Sequence, residues 1–461
     1  MKPIVAALAT ALAVRLLVPV LALPIARPGP QFREPDTVGY VRVATQWWET
    51  GRYGAPQQAE IVRTPGYPVL LLPGVASERI EAVTIGLQIL LGCLTVWFVY
   101  RTALLAFENE TVALAGAWFM ACEPVSAVYA SKLLSETLFT TLLAAALWLL
   151  ARYSVSRGWR DILAAAVAIA AAAYVRPIAY FLPAWVGLSV VIIFWRRVEW
   201  RRHLLVQAVV FVALAFALLV PWQIRNFFAA GYAGFSAISD INLYYYEALP
   251  IVAEREAGGP VERDAVRIEA GEGDPAAYLR QHPEQIEWSA AQRYRFLRQE
   301  AMRIILAHPS AWARVHVGGM LNTLTDSGRN AWLGFFRLAD TGKPTEAPPA
   351  RTFWQRLTDA AAQRPRVLAI HGLLAVTLAI YLGLAFTGVV SAGGPGARPA
   401  VLLALALFTY LLLVSGGDAG YHRFRIPMTP VICLFAAQGG STAVALARRY
   451  GLVRRRATSE Q

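Results

Sequence analysis

The chain has 461 residues, of which 57% are hydrophobic and only 16% charged, and its mean hydropathy is +0.45. Soluble domains are about 45–50% apolar and about 25% charged, so these figures exclude an ordinary water-soluble enzyme and a disordered chain. The net charge of +13 would suit nucleic acid in a polar protein. In so apolar a chain it reads as membrane topology, and no nucleic-acid partner is expected.

A spanning helix needs about 20 mostly apolar residues. Segments of that kind run over 4–26, 80–106, 111–130, 133–152, 162–182, 183–195, 204–222, 367–392, 399–415 and 426–447. The first carries Arg15 and is followed by further spans, so it reads as an anchor rather than a cleaved signal. The loops 152–160 and 196–203 and the tail 448–456 are rich in arginine. An even number of spans puts all three on one side, and that side is the cytoplasm. The expected fold is therefore an all-α polytopic membrane protein with about ten transmembrane helices. Its expected parts are a transmembrane module (1–222) with an outer loop at 27–79, an extracytoplasmic segment (223–366), C-terminal helices (367–447) and a basic tail (448–461). The cell membrane, a bacterial inner membrane, is the expected location.

The first outer loop is the most informative stretch. Asp36 follows the first span, and Tyr40 and Ala44 fit a short amphipathic helix that Gly51 ends. Trp47 and Trp48 suit an interfacial position, and Arg63-Thr-Pro-Gly-Tyr-Pro68 leads back towards the membrane. A carboxylate at the membrane surface can take a proton from an attacking hydroxyl, and a cation at the same level can neutralise a departing phosphate. Asp36 fits a helix N-cap equally well, and Arg63 alone fits a snorkelling cation.

In the second outer segment, 289–308 spaces Tyr294, Leu297, Ala301, Ile304 and Ile305 as an amphipathic helix, and 311–325 fits an interfacial helix. Residues 254–274 are acidic and contain glycine, and 341–350 form a proline-rich loop. Tyr244–Tyr246 with Glu247 suit either stacking on sugar rings or an interfacial aromatic belt.

An Asp after the first span, then Y…A…G and a basic-x-Pro-Gly-Tyr-Pro return, resembles the GT-C class of membrane glycosyltransferases. More narrowly it resembles glycosyltransferase family 39, with the protein O-mannosyltransferases and the lipid A aminoarabinose transferases. The stretches LLSETLF (133–139), YVRP (174–177), PWQIRN (221–226) and HRFRIPMTP (422–430) fit the same pattern. The resemblance implies transfer of a hexose or pentose from a polyprenyl-phosphate donor to an acceptor hydroxyl on the outer face, with inversion. The acceptor is a glycan, a lipid or a protein, as in lipopolysaccharide or protein glycosylation of the cell envelope. On that reading Asp36 is the general base and Arg63 a ligand of the lipid phosphate, with Tyr67 in the same motif. The aminoarabinose transferases carry a Glu-Lys-Pro element near the return; here Val62-Arg63-Thr64-Pro65 stands there and Glu60 is out of register. A divalent metal is therefore left open as a cofactor.

Charges within a membrane cost about 2.5–3.5 kcal/mol on insertion scales, so they pair or line a cavity. Lys132 and Glu136 fit a structural i, i+4 pair; alternatively Glu136 faces the sugar. Arg176 and Arg225 stand at outer helix ends, at the depth of a lipid phosphate. His422, Arg423 and Arg425 lie outside, against the topology rule, which points to anion binding. His282, His308 and His316 have no zinc spacing, and the three cysteines sit in apolar stretches. Two other readings compete: a carrier or flippase for a polyprenyl-linked sugar, and a non-catalytic envelope-assembly protein. A carrier needs charges near the midplane of several spans, whereas a scaffold would leave Asp36 and Arg63 far apart. The enzyme reading requires Asp36, Arg63 and Arg225 to converge on one cavity.

Overall fold

The computed structural model describes residues 3–23, 31–55, 58–197, 199, 201–256, 270–271, 275–338, 364–394 and 396–450. Most of the acidic stretch 254–274, the whole proline-rich loop 341–350 and the end of the basic tail lie outside these residues. Helices dominate: α1 (Pro3–Ala22), α2 (Pro35–Thr50), α3 (Gly66–Ala76), α4 (Ile80–Phe107), α5 (Glu110–Cys122), α6 (Pro124–Tyr129), α7 (Glu136–Ser156) and α8 (Trp159–Val175) come first. After a 3-10 turn at Pro177–Ala179 follow α9 (Leu182–Phe194) and α10 (Arg201–Ala230). Among the described residues the only strands are β1 (Gly54–Ala55) and β2 (Gln58–Ala59), an antiparallel hairpin beyond α2.

Among the described residues seven helical stretches are long and apolar enough to cross a membrane: 3–22, 80–107, 136–156, 177–194, 201–230, 365–392 and 422–449. The other three expected spans are helical but shorter: α5 has 13 residues, α8 has 17 and Pro399–Leu413 has 15. Alanine-rich faces let these helices pack closely around one core, which includes Ala117, Phe139, Ala146, Ala166, Phe211, Ala404 and Phe435. The chain is a multi-pass membrane protein of all-α fold.

The polar segment after α10 is helical too. It comprises α11 (Ile238–Asn242), a π-helix (Leu243–Ala248), α12 (Leu249–Glu256), α13 (Pro275–Gln281), α14 (Ala290–Ala307), α15 (Pro309–Thr325) and α16 (Arg329–Phe335). Helix α14 starts on Ser289, whose Oγ accepts from Gln292 N at 3.3 Å, and it buries Ala291, Leu297, Ala301 and Ile305. The last helices are α17 (Pro365–Ala392), α18 (Pro399–Leu413), α19 (His422–Arg425) and α20 (Thr429–Arg449). Helices α17 and α20 touch backbone to backbone, for a Cβ on Gly388 would lie 1.9 Å from the Phe435 carbonyl oxygen.

The two polar segments meet each other. Ala237 N donates to Ile61 O at 2.9 Å, and Ser236 Oγ donates to Val62 O at 2.6 Å. The stretch that carries Arg63 is thus gripped by the start of the 223–366 segment. What these contacts position lies between the two.

Candidate functional site

Helix α2 opens with Glu34-Pro35-Asp36. Pro35 takes the first helical turn, where its missing N–H costs nothing. Glu34, not Asp36, is the cap residue; its N–H donates to Thr37 Oγ1 at 2.9 Å. Asp36 is therefore released from the capping role and sits one residue inside the helix, with its carboxylate shared between two cations. Arg63 Nη2 donates to Oδ1 and Arg423 Nη1 to Oδ2, each at 2.7 Å. Burial disfavours the charged carboxylate, but Arg423 and Arg63 outweigh it and hold Asp36 well below the usual carboxylate range.

Arg63 is placed by the motif around it. Its guanidinium lies 4.6 Å from the centre of the Tyr40 ring, one turn along α2 from Asp36. Gly39 leaves room for it, since a Cβ there would approach Arg63 Nε to 3.3 Å. Glu60 Oε1 accepts the N–H groups of Val62 and Arg63 at 2.8 and 3.0 Å, Arg42 holds Oε2 at 2.9 Å, and Tyr53 Oη donates to Arg63 O at 3.0 Å. Gly66 then brings the chain against helix α8: a Cβ would lie 2.6 Å from Tyr174 O. The Pro-Gly-Tyr-Pro return is in part a close backbone crossing that only glycine permits.

Glu136, at the start of α7, is wholly buried and forms the second acidic post. Arg176 Nη1 donates to its Oε1 at 2.7 Å, and Arg423 Nε donates to the same oxygen. Arg423 thus bridges Asp36 and Glu136, and Arg63–Asp36–Arg423–Glu136–Arg176 is one continuous ion network. Lys132 pairs with Glu34 instead, so the expected i, i+4 pair with Glu136 does not form. Lys132 lies in the run of turns before α7, outside the helix that would bring positions i and i+4 together.

This network borders a cavity of about 550 Å³. Its walls include Asp36, Tyr40, Arg63 and Thr64 from the first polar segment, and Arg176 and Ile178 from the end of α8. The 223–366 segment adds Ser239, Asn242, Tyr246 and Glu247, the turn before α19 adds Asp418 and Tyr421, and α19 itself adds Arg423 and Phe424. The contribution of Ser239, Asn242 and the 414–421 turn escaped the sequence reading; the Gly416-Gly417-Asp418 turn before His422 is the signal that stood there.

Five of the nominated residues are not on the cavity wall; Glu136, wholly buried, stands behind it in the ion network and does not face the cavity, and four lie elsewhere. Arg225 is not on the cavity wall: its guanidinium stacks 4.8 Å from Trp222 and 5.5 Å from Tyr53, and donates to the carbonyls of Glu60 and Tyr53. Convergence thus holds for Asp36 and Arg63 and fails for Arg225, whose charge is spent on fastening the hairpin; the requirement is not met as stated, and Arg176 and Arg423 are the cations that stand on the cavity wall where Arg225 was expected. Arg425 is buried and caps the end of α15, donating to the carbonyls of Thr323, Leu324 and Asp326. His422 Nδ1 is 2.6 Å from Asp326 Oδ2, and its Nε2 is 3.2 Å from Tyr129 Oη. Tyr67 is fully buried, with its hydroxyl on Gln88 at 3.0 Å and its ring edge-on to Tyr40. These three support the wall from behind.

The donor set does not fit a divalent metal. Asp36 and Glu136 each face guanidinium groups, and Glu60 is occupied by two N–H groups and Arg42. Among the described residues no three His, Cys, Asp or Glu side chains come together to hold an ion.

Residues 74–223, about a third of the chain, match the family model described as dolichyl-phosphate-mannose-protein mannosyltransferase. No curated protein matches the chain by sequence. The archaeal oligosaccharyltransferase AglB from Archaeoglobus fulgidus, solved with an inhibitory peptide and a dolichol-phosphate, is similar in structure. Its TM-score is 0.50 at 13% identity, over 97% of this chain and 52% of that one. The chain thus spans about half the length of that enzyme. ArnT from Cupriavidus metallidurans, solved with undecaprenyl phosphate, aligns over 96% of this chain and 80% of its own at 13% identity, with a TM-score of 0.36. Over residues 74–223 the chain thus resembles the GT-C class of membrane glycosyltransferases in sequence, and its fold is similar to that of AglB.

Proposed function

We propose that the protein moves a sugar from a polyprenyl-phosphate donor to an acceptor hydroxyl, on the extracytoplasmic face of the membrane. The observation that carries this reading is the convergence of Asp36 with Arg63, Arg176 and Arg423 on one cavity. An apolar groove of about 450 Å³, lined by Val69, Leu70, Leu87, Leu138, Leu142 and Tyr174, adjoins it through Val175. Cations beside an apolar groove suit a phosphate on a hydrocarbon tail.

In the reaction the acceptor oxygen attacks the anomeric carbon, and the bond from that carbon to the phosphate oxygen breaks. The departing phosphate keeps the electron pair and is stabilised by the arginines. The acceptor proton goes to Asp36. Asp36 is a poor base while two arginines hold it. A phosphate that draws Arg63 and Arg423 towards itself weakens both pairs and restores basicity, so donor binding prepares the base.

The test is transfer by protein in proteoliposomes from a set of labelled decaprenyl-phosphoryl hexoses and pentoses. Asp36→Asn is expected to lower turnover by about 10²-fold or more while donor binding persists. Unchanged turnover in a folded variant removes Asp36 as the base. The acceptor is a glycan, lipid or protein of the cell envelope, and comparing envelope glycans with and without the gene identifies it. Accumulation of unmodified donor on one leaflet, without transfer, would favour the carrier reading.

A further inference from the structure

The cavity has a second carboxylate, Glu247, which the reaction above leaves without a role. It is contributed by the 223–366 segment, whereas the arginines come from the transmembrane part and its flanks. Its position is built with some care. It lies on the π-helix Leu243–Ala248, and the wide turn sends Leu243, Tyr246 and Glu247 together to the cavity wall. Single π-turns of this kind are frequent at functional sites. Trp312 Nε1 donates to Glu247 Oε2 at 2.9 Å, and His316 Nδ1 lies 2.9 Å from Oε1 and 3.1 Å from Oε2.

His316 is itself held from the far side, with Nε2 2.9 Å from Leu413 O. A carboxylate and a carbonyl can only accept, so the two ring nitrogens of His316 face acceptors on both sides, an arrangement that favours the protonated ring and raises its pKa. The turn before α19 is moulded to this pair. A Cβ on Gly416 would lie within 2.4 Å of the His316 ring, and one on Gly417 would lie 2.6 Å from Glu247 Oε1. The Gly417 φ of +81° is also one that side chains resist. Glu247 is thereby fixed in direction and left on the wall with acceptor positions to spare, since a carboxylate offers about four.

We propose that Glu247 recognises the hydroxyl groups of the transferred sugar, with His316 and Trp312 as its positioning residues. The inference rests on the donor reading above and deepens it: the arginines take the phosphate end of the donor, and Glu247 takes the carbohydrate end. Polyols donate hydrogen bonds, and a preset anionic acceptor is what selects them. Tyr246, on the same wall, supplies an aromatic face for the ring.

The experiment measures binding to the full-length protein in nanodiscs by native mass spectrometry. The probes are decaprenyl phosphate and its mannosyl, glucosyl, galactosyl and arabinosyl derivatives. Wild type is expected to bind at least one sugar-bearing probe about tenfold or more tighter than decaprenyl phosphate. Glu247→Gln is expected to lose that preference and to bind decaprenyl phosphate within about twofold of wild type. Glu247→Asp keeps the charge but withdraws the oxygens, and it carries the same expectation if the Gln variant does not fold. His316→Gln should reduce the preference while leaving the carboxylate in place. A preference retained in both Glu247 variants overturns the inference, as does parallel loss of all probes, which marks a structural latch. A wild type indifferent to every sugar overturns it as well. If wild type fails to bind decaprenyl phosphate at all, the donor reading falls first and this inference with it.

Discussion

Replacing Glu136 by glutamine keeps the side-chain shape and removes one charge from the centre of the ion network. Glu136 is wholly buried and takes hydrogen bonds from Arg176 and Arg423, whose side chains are each only 14% exposed. Removing one partner of a buried pair costs about 3–5 kcal/mol. Arg423 keeps its bond to Asp36, so the lower end, about 3 kcal/mol, is expected for the empty protein. The same change frees two guanidinium groups for an anion. A charge-assisted bond is worth about 1.5–3 kcal/mol, which makes decaprenyl phosphate bind about ten- to a hundredfold tighter. The assay is denaturant unfolding in detergent, with and without decaprenyl phosphate. The variant should be less stable alone and should gain more from the ligand than wild type does, following the logarithm of ligand over Kd. Equal stability without ligand would show that the network holds nothing together. An unchanged gain with ligand would show that these arginines are not the phosphate ligands.

Other expectations concern the supports of the site. Arg225→Ala should weaken decaprenyl phosphate binding by about tenfold although Arg225 is off the cavity wall, because the freed carbonyls of Tyr53 and Glu60 let the Arg63 loop drift; equilibrium binding checks this. Gly66→Ala should lower the unfolding free energy by about 1–3 kcal/mol, read by denaturant unfolding, since its Cβ would collide with the Tyr174 carbonyl. The hydrogen bond that His316 donates to Glu247 raises the His316 pKa above its ordinary value, against the opposing effect of burial. The pair therefore stabilises fully below the unfolded-state pKa, and that contribution is lost as pH rises through the folded-state value. Wild type should lose stability relative to His316→Gln across mildly alkaline pH, as read by unfolding midpoints.

Much of this arrangement was legible in the chain because two of its signals are local. Apolar runs near membrane length named the ten helical stretches, and the D…Y…RTPGYP pattern placed Asp36 and Arg63 at one level. The choice among arginines was not legible. Arg225, Arg423 and Arg425 all stand at helix ends with similar neighbours in sequence, yet one fastens a hairpin, one bridges two carboxylates and one caps a helix. Which task each performs depends on partners as far as 387 residues away, as for Arg423 and Asp36. Spacing along the chain carries no record of that. Of the two roles the sequence leaves open for Asp36, the N-cap is not taken for a more local reason: Glu34 and Thr37 already close that end of α2 through Thr37 Oγ1.

Arg15 offers a last consequence, which concerns how the protein is made. It is buried in the middle of the first helix, and its guanidinium donates to the carbonyls of Met120 and Ala121 at the end of α5. About a hundred residues must be synthesised after Arg15 before that partner exists. Until then the guanidinium has only the Ala11 carbonyl of its own helix, and the first helix enters the bilayer with a largely unpartnered cation, at a cost of about 2.5–3.5 kcal/mol. The early chain must therefore stay near water or the insertion machinery, and the arrival of α5 is what releases it into lipid. Helix α5, at 13 residues, is itself short for a span. Each of the two segments thus supplies what the other lacks, and their pairing is an expected checkpoint in membrane insertion.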